Sequence, residues 1–126
     1  MGDINLGTKV NNLDERVSEI ESSLIVESGE LTSIIGNINL GNTSLMKYGK
    51  VVVLGLMQTD INVTSNTWTV ISKLPDKFCP ANPINLIGLI GGKMGRIQIN
   101  SNGNIQIYNS ETVNNAQVLC GLTWII

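Results

Sequence analysis

Ile97-Gln98-Ile99-Asn100-Ser101-Asn102-Gly103-Asn104-Ile105-Gln106-Ile107 is the stretch that decides the fold class. Isoleucine alternates with glutamine on both sides of an Asn/Gly-rich centre, the period-two pattern of strands with one buried face. For both isoleucine pairs to share a face, Ile99 must stand opposite Ile105 and Ile97 opposite Ile107. A two-residue Asn102-Gly103 turn would pair Ile99 with Gln106 and turn one strand inside out. A three-residue loop, Ser101-Asn102-Gly103 with Gly103 left-handed, restores the parity. The segment reads as an antiparallel hairpin.

The flanking sequence uses the same vocabulary. Val51-Val52-Val53-Leu54, inside a strand over 50–58, is too continuously apolar for a sheet with one wet face. Such runs belong to strands covered on both sides, and in a domain this small the second cover can be another subunit. Thr67-Trp68-Thr69-Val70-Ile71 is β-branched and aromatic and ends at Leu74-Pro75. Ile84 to Ile90 is a further apolar segment, closed by Gly91-Gly92. Val118 to Ile126 places an apolar strand at the end of the sequence. About six or seven short strands predict a small antiparallel β-sandwich, jelly-roll-like, over residues 49–126.

Upstream the period changes. Leu6, Val10, Leu13, Val17, Ile20 and Leu24 alternate spacings of four and three. This puts Val10, Val17 and Leu24 at a and Leu6, Leu13 and Ile20 at d of a heptad. Lys9 and Arg16 fall at g, Asp14 and Glu21 at e. A parallel coiled coil would set Lys9 against Asp14 and Arg16 against Glu21 of the next chain. The pattern predicts a coiled-coil stalk over 1–27. Valine at a with Leu13 at d favours two chains, whereas Ile20 at d and Leu24 at a favour more, so the seam leaves the number open. Residues 28–48, with Gly29, Gly36, Gly41 and three asparagines, read as a neck, with a short strand at Leu31–Ile35.

Composition excludes several classes of function. Net charge is −2, with seven acids against two bases in residues 1–45 and six bases against three acids in 46–126. Those six bases are scattered singly, not gathered into a nucleic-acid stripe. The longest apolar run, Val51 to Met57, is far short of the ~18 residues of a membrane span. The polar start, Met1 to Asn5, has no signal-peptide pattern, so the chain is expected to stay in a cytosol until assembled. The two cysteines, Cys79 and Cys120, read as reduced thiols, at least one of them buried, with a bridge formed after release as the alternative.

The absence of histidine removes Ser-His-Asp and Cys-His catalysis and histidine metal sites. Gly88 to Gly95 is not a phosphate loop, because Ile87 stands where the first glycine is needed and Met94 where Ser or Thr holds magnesium. Asp60, Asp76 and Glu111 offer no acid–base pair for glycan cleavage. No enzyme, cofactor or metal is expected.

A coiled coil, a Gly/Asn neck and a small all-β head resemble bacteriophage tail-fibre and baseplate receptor-binding proteins. Gly49-Lys50-Val51-Val52 opens a strand as in those heads. Leu74-Pro75-Asp76-Lys77-Phe78-Cys79-Pro80 looks like the LP-x-x-F-x-P turn of tips from phages of low-GC Gram-positive hosts. The Ile97–Ile107 hairpin is similar to their I-x-I…NG-x-I-x-I hairpin. The resemblance implies a virion protein, a homotrimer joined to other virion proteins through its N-terminal end, whose heads dock host cell-wall or surface polysaccharide. It carries over no sugar-contacting residue. From the residues themselves, a saccharide site needs an aromatic platform beside planar hydrogen-bonding groups. Trp68, between threonines, and Tyr108, opening the polar stretch Asn109-Ser110-Glu111-Thr112-Val113-Asn114-Asn115, are the candidates, with Asn109, Glu111 and Asn114 beside them. The rival expectations are a purely structural fibre or collar protein without glycan affinity, and a bacterial adhesin on the same plan.

Overall fold

A computed structural model describes residues 25–126, which form ten strands and no α-helix. The strands are β1 (Val26–Ser28), β2 (Thr32–Ser33), β3 (Asn37–Ile38), β4 (Ser44–Tyr48), β5 (Val51–Val63), β6 (Thr69–Lys73), β7 (Ile84–Ile90), β8 (Lys93–Ile99), β9 (Asn104–Tyr108) and β10 (Val113–Ile125). A single 3-10 turn, Asp76–Phe78, lies between β6 and β7. The hairpin forms in the register its isoleucines require, Ile99 opposite Ile105 and Ile97 opposite Ile107. Asn100 donates its backbone N–H to Asn104 O at 2.9 Å, and Gly103 closes the three-residue loop at φ +92°. All four isoleucines are fully buried.

The expected class is corrected in two respects. The strands are not split into two facing sheets. They form one continuous antiparallel sheet in the order β1-β4-β5-β10-β7-β8-β9-β6-β2, with β3 also on β5, and the sheet curls into a half-barrel around its own inner face. The cause is β10, which pairs β5 along one edge and β7 along the other. It thereby welds the early strands to the late ones at the seam where a sandwich would divide. Register shifts in β10, another in β6, and a left-handed Asp60 in β5 let the long strands bend.

The second correction concerns the helix. The coiled-coil positions Leu6, Lys9, Val10, Leu13, Asp14, Arg16, Val17, Ile20, Glu21 and Leu24 lie outside the described residues. Where the description begins, the chain is extended: Val26–Ser28 pairs β4, with Val26 opposite Tyr48. The heptad frame gives way here because its next d position is the charged Glu27, while Ile25 and Val26 are β-branched and suit a strand. Among the described residues the protein is an all-β fold.

Inside the half-barrel the alternation is regular. Val52, Leu54, Leu56 and Gln58 of β5 point inward opposite Trp124, Leu122, Cys120 and Val118 of β10. At Asp60 the alternation slips by one residue, so that Ile61 and Val63 are the buried positions beyond it. Each large aliphatic side chain removed from water contributes about 1.5–3 kcal/mol, before the entropy of ordering it.

Residues 28–48, read from sequence as a neck, are built into this sheet. β2 pairs β6 while β3, four residues on, pairs β5. One short segment therefore spans the opening between two strands that are far apart in the sheet order. Ile34 and Ile35 donate backbone N–H groups to Ile71 O at 2.9 and 3.2 Å. Gln58 completes the tie from the inner face, its Nε2 donating to Ile35 O at 2.6 Å and Ile71 O at 2.8 Å.

The Leu74–Pro80 turn docks on the hairpin. Leu74 donates its N–H to Gly103 O at 2.9 Å, and Leu74 and Phe78 enter the core. Trp124 Nε1 donates to Phe78 O at 3.0 Å, so Trp124 is a core residue with a satisfied polar edge.

Candidate functional site

The pairing of β8 with β9 sets the site. Ile97 and Ile107 face inward as partners, so the preceding and following residues, Arg96 and Tyr108, are partners on the outer face. Trp68 arrives from the turn before β6. Asn66 holds that turn in the left-handed region at φ +57° and donates its N–H to Asn109 O at 2.8 Å. Ser65 N–H is held by Thr112 Oγ1 at 3.2 Å. The β5–β6 turn and the loop after β9 are thus fastened together, which brings Trp68 and Tyr108 side by side.

The result is a compact group. The Trp68 and Tyr108 ring centroids are 5.3 Å apart at 44°. The Arg96 guanidinium carbon lies 5.1 Å from the Trp68 centroid and 5.5 Å from that of Tyr108. Tyr108 donates its hydroxyl to Asn66 Oδ1 at 2.9 Å, which fixes the ring. Trp68 is 36% exposed. Arg96 stacks on both rings as a flat, permanently charged donor, an arrangement worth about 0.5–1 kcal/mol at an exposed site. Beside it a shallow cavity of about 160 Å³ is lined by Met94, Gly95, Arg96, Tyr108, Asn109 and Ser110.

The five residues nominated from sequence fare differently. Trp68 and Tyr108 are in contact, and Asn109 lines the cavity beside Tyr108. Asn109 is buried, and its Nδ2 has no hydrogen-bond partner. Glu111 is at the edge, where Lys93 Nζ donates to its carboxylate at 2.9 Å. That hydrogen bond, with the charge of Lys93, holds the Glu111 carboxyl below its usual pKa. Asn114 lies on the irregular start of β10 against β5, exposed, and no hydrogen bond joins it to the group. Sequence reading missed Arg96, Asn66 and Lys93. Arg96 was within reach of it: once Ile97 is set opposite Ile107, Arg96 must stand opposite Tyr108.

A larger groove of about 310 Å³ runs between the Ser28–Leu31 segment and β4, lined by aliphatic residues with Ser28, Thr43 and Ser44 among them and Glu30 as its one ionisable side chain. It offers shape without convergent polar chemistry.

Neither cysteine belongs to a site. Both are free thiols, and burial raises the pKa of each, that of Cys120 to about 11. The Cys120 shift makes the fold sensitive to alkali. An unfolded chain releases this proton near 9.0 and the folded one near 11, so the folded state binds more protons in between. Its contribution is complete below pH 9 and is lost as pH rises toward 11, on the order of 2–3 kcal/mol in all. Urea unfolding of wild type and Cys120→Ala from pH 7 to 11 should show the wild type losing more stability over that window. Parallel curves would sink the assignment.

Compared with known proteins, the chain matches no family model and no curated sequence.

Proposed function

We propose that this chain binds saccharide on a host cell surface, as the head of a bacteriophage tail-fibre or baseplate receptor-binding protein that acts as a homotrimer. In this reading it is made in the host cytoplasm, carried in the virion, and joined to other virion proteins. The observation that carries the proposal is the pair of exposed Trp68 and half-buried Tyr108 with Arg96 stacked on it. Sugar rings present C–H faces that pack on aromatic planes and hydroxyls that need directional donors and acceptors. Trp68 supplies the first, and Arg96 and the loop Asn109–Glu111 supply the second. The Lys93–Glu111 pair adds charged groups at the rim. The role is binding, not turnover.

The test is binding of the purified protein to whole cells and to isolated wall polysaccharide across candidate hosts. Trp68→Ala and Arg96→Ala should each weaken it about tenfold or more, equivalent to at least ~1.4 kcal/mol. Both side chains are on the surface, so the melting temperature should move little. Undiminished binding in both variants discards the site.

A second reading, a structural fibre or collar protein without glycan affinity, is favoured by the apolar outer face of the sheet, where Ile87, Met94 and Ile125 are 70%, 77% and 72% exposed. It predicts a tight protein partner and no saccharide binding by any variant.

A further inference from the structure

The tip of the β8–β9 hairpin places a reactive amide beside the one neighbour that leaves it open to attack. Of the asparagines, only Asn102 precedes a glycine. Asn37, Asn39 and Asn62 are followed by Ile38, Leu40 and Val63, whose side chains crowd the following backbone nitrogen. Asn102 Oδ1 accepts the Asn104 backbone N–H at 3.0 Å. This Asx turn closes a ring containing Asn102 Cγ and the Gly103 nitrogen, and so folds the amide carbon back over the next peptide. The Asn104 N–H is also aimed at the oxygen on which negative charge develops when that carbon is attacked. Ser101 and Asn102 are exposed, so water reaches the amide.

We propose that Asn102 is a site of spontaneous deamidation in the folded protein, held in check by the docked Leu74–Pro80 turn. Water or hydroxide takes the Gly103 N–H proton, and the nitrogen lone pair forms a bond to Asn102 Cγ while charge moves onto Oδ1. The Cγ–Nδ2 bond then breaks, and Nδ2 leaves with a proton from water as ammonia. One water opens the succinimide that remains. Attack at Cγ gives aspartate, and attack at the main-chain carbonyl gives isoaspartate. Nothing is oxidised or reduced, and water is the sole co-reactant.

The brake lies in the backbone. The attacking N–H donates to Asn100 O at 2.9 Å, and Gly103 O accepts the Leu74 N–H at 2.9 Å. Gly103 is itself buried, with Leu74 O and Cys79 Sγ against it. Attack requires the nitrogen to leave Asn100 and the loop to leave Leu74. Releasing two backbone hydrogen bonds slows the reaction roughly ten- to hundredfold relative to the unfolded chain. The two products differ in effect. Aspartate keeps an acceptor for Asn104. Isoaspartate adds a methylene to the main chain inside a three-residue loop closed by the Asn100 N–H to Asn104 O bond. That displaces Gly103 O from Leu74 and undocks the turn.

The test is peptide mapping by mass spectrometry of the full chain held at pH 8, once folded and once in urea. Asn102→Ser is the control, because it keeps a side-chain acceptor for Asn104 and removes the amide. In the folded wild type Asn102 should be the first asparagine to exchange its amide for a carboxyl, more slowly than in urea by the factor above. Aged wild type should melt lower as isoaspartate accumulates, while Asn102→Ser stored beside it keeps its melting temperature. Another asparagine converting ahead of Asn102 overturns the site. So does an intact Asn102 in the folded protein after the time set by its rate in urea and that factor. Equal rates with and without urea overturn the brake. Arg96 and Tyr108 are paired at the other end of the hairpin, so cell binding reports on the saccharide reading independently.

Discussion

Gln58→Glu is expected to cost on the order of 4 kcal/mol at pH 7, enough to unfold a domain of ordinary stability or bring it close. Gln58 is fully buried, and its Nε2 donates to the carbonyl oxygens of Ile35 and Ile71. Only the amide nitrogen can face two carbonyls, so the orientation of this side chain is chemically determined. A carboxylate there has no proton to donate and turns a buried charge on two acceptors. Burial and those acceptors raise its pKa in the folded state. The stability it removes is therefore recovered as pH falls through that raised value, and lost again as pH rises. Recovery stays incomplete, because the neutral acid has one O–H for two carbonyls.

Gln58→Met isolates the hydrogen bonds from the charge. It nearly preserves volume and should cost about 1–3 kcal/mol with no added pH dependence. Urea unfolding of the three proteins at pH 7 and near the acid end of their stable range separates the cases. If Gln58→Glu unfolds at the wild-type midpoint under both conditions, Gln58 is not what holds the opening of the half-barrel.

Gly103→Val should cost about 3 kcal/mol or more, by two additive routes. The residue sits at φ +92°, where a β-branched side chain is strained. A Cβ there would also lie 2.8 Å from Leu74 O and 2.9 Å from Cys79 Sγ. The backbone oxygen cannot move without breaking the bond that Leu74 N–H makes to Gly103 O. The substitution thus injures the hairpin and the docking of the Leu74–Pro80 turn together. Gly92→Ala is the control: Gly92 also has positive φ, at +81°, but open space around its Cβ position, so its cost should be strain alone, about 1–2 kcal/mol. Equal losses at the two positions in thermal and urea melts would show that the docked turn contributes nothing at Gly103.

The hairpin was legible in the sequence because strand parity is a local property. Two isoleucine pairs and one glycine leave a single loop length that buries all four side chains. The strands at 84–90 and near the C-terminus were legible as short apolar runs, the first closed by Gly91-Gly92. The continuity of the sheet was not. Whether β10 pairs on one edge or both depends on partners more than twenty residues away, and nothing in its own alternation records that choice. The strap over 32–38 was legible only in part: the short strand read at Leu31–Ile35 contains β2, but the Gly and Asn residues around it are those of a linker, and the pairing is supplied by β5 and β6.

The candidate site divides in the same way. Trp68, Tyr108 and the polar stretch after it were visible as residue types suited to sugar, and their adjacency was not. It depends on Asn66 and Ser65 bonding to the loop after β9, across more than forty residues of chain. Arg96 lay between these limits, since the hairpin register places it opposite Tyr108 but says nothing of Trp68. By itself the sequence determined that the described chain would be β-rich, where the hairpin turns, and which face of the two hairpin strands is apolar, because alternation and turn chemistry act over a few residues. Only the tertiary structure decided that the strands make one curled sheet, that the neck belongs to it, and that Trp68, Tyr108 and Arg96 meet. Those outcomes depend on long-range strand pairing, where the gain from burial is set by which partner arrives.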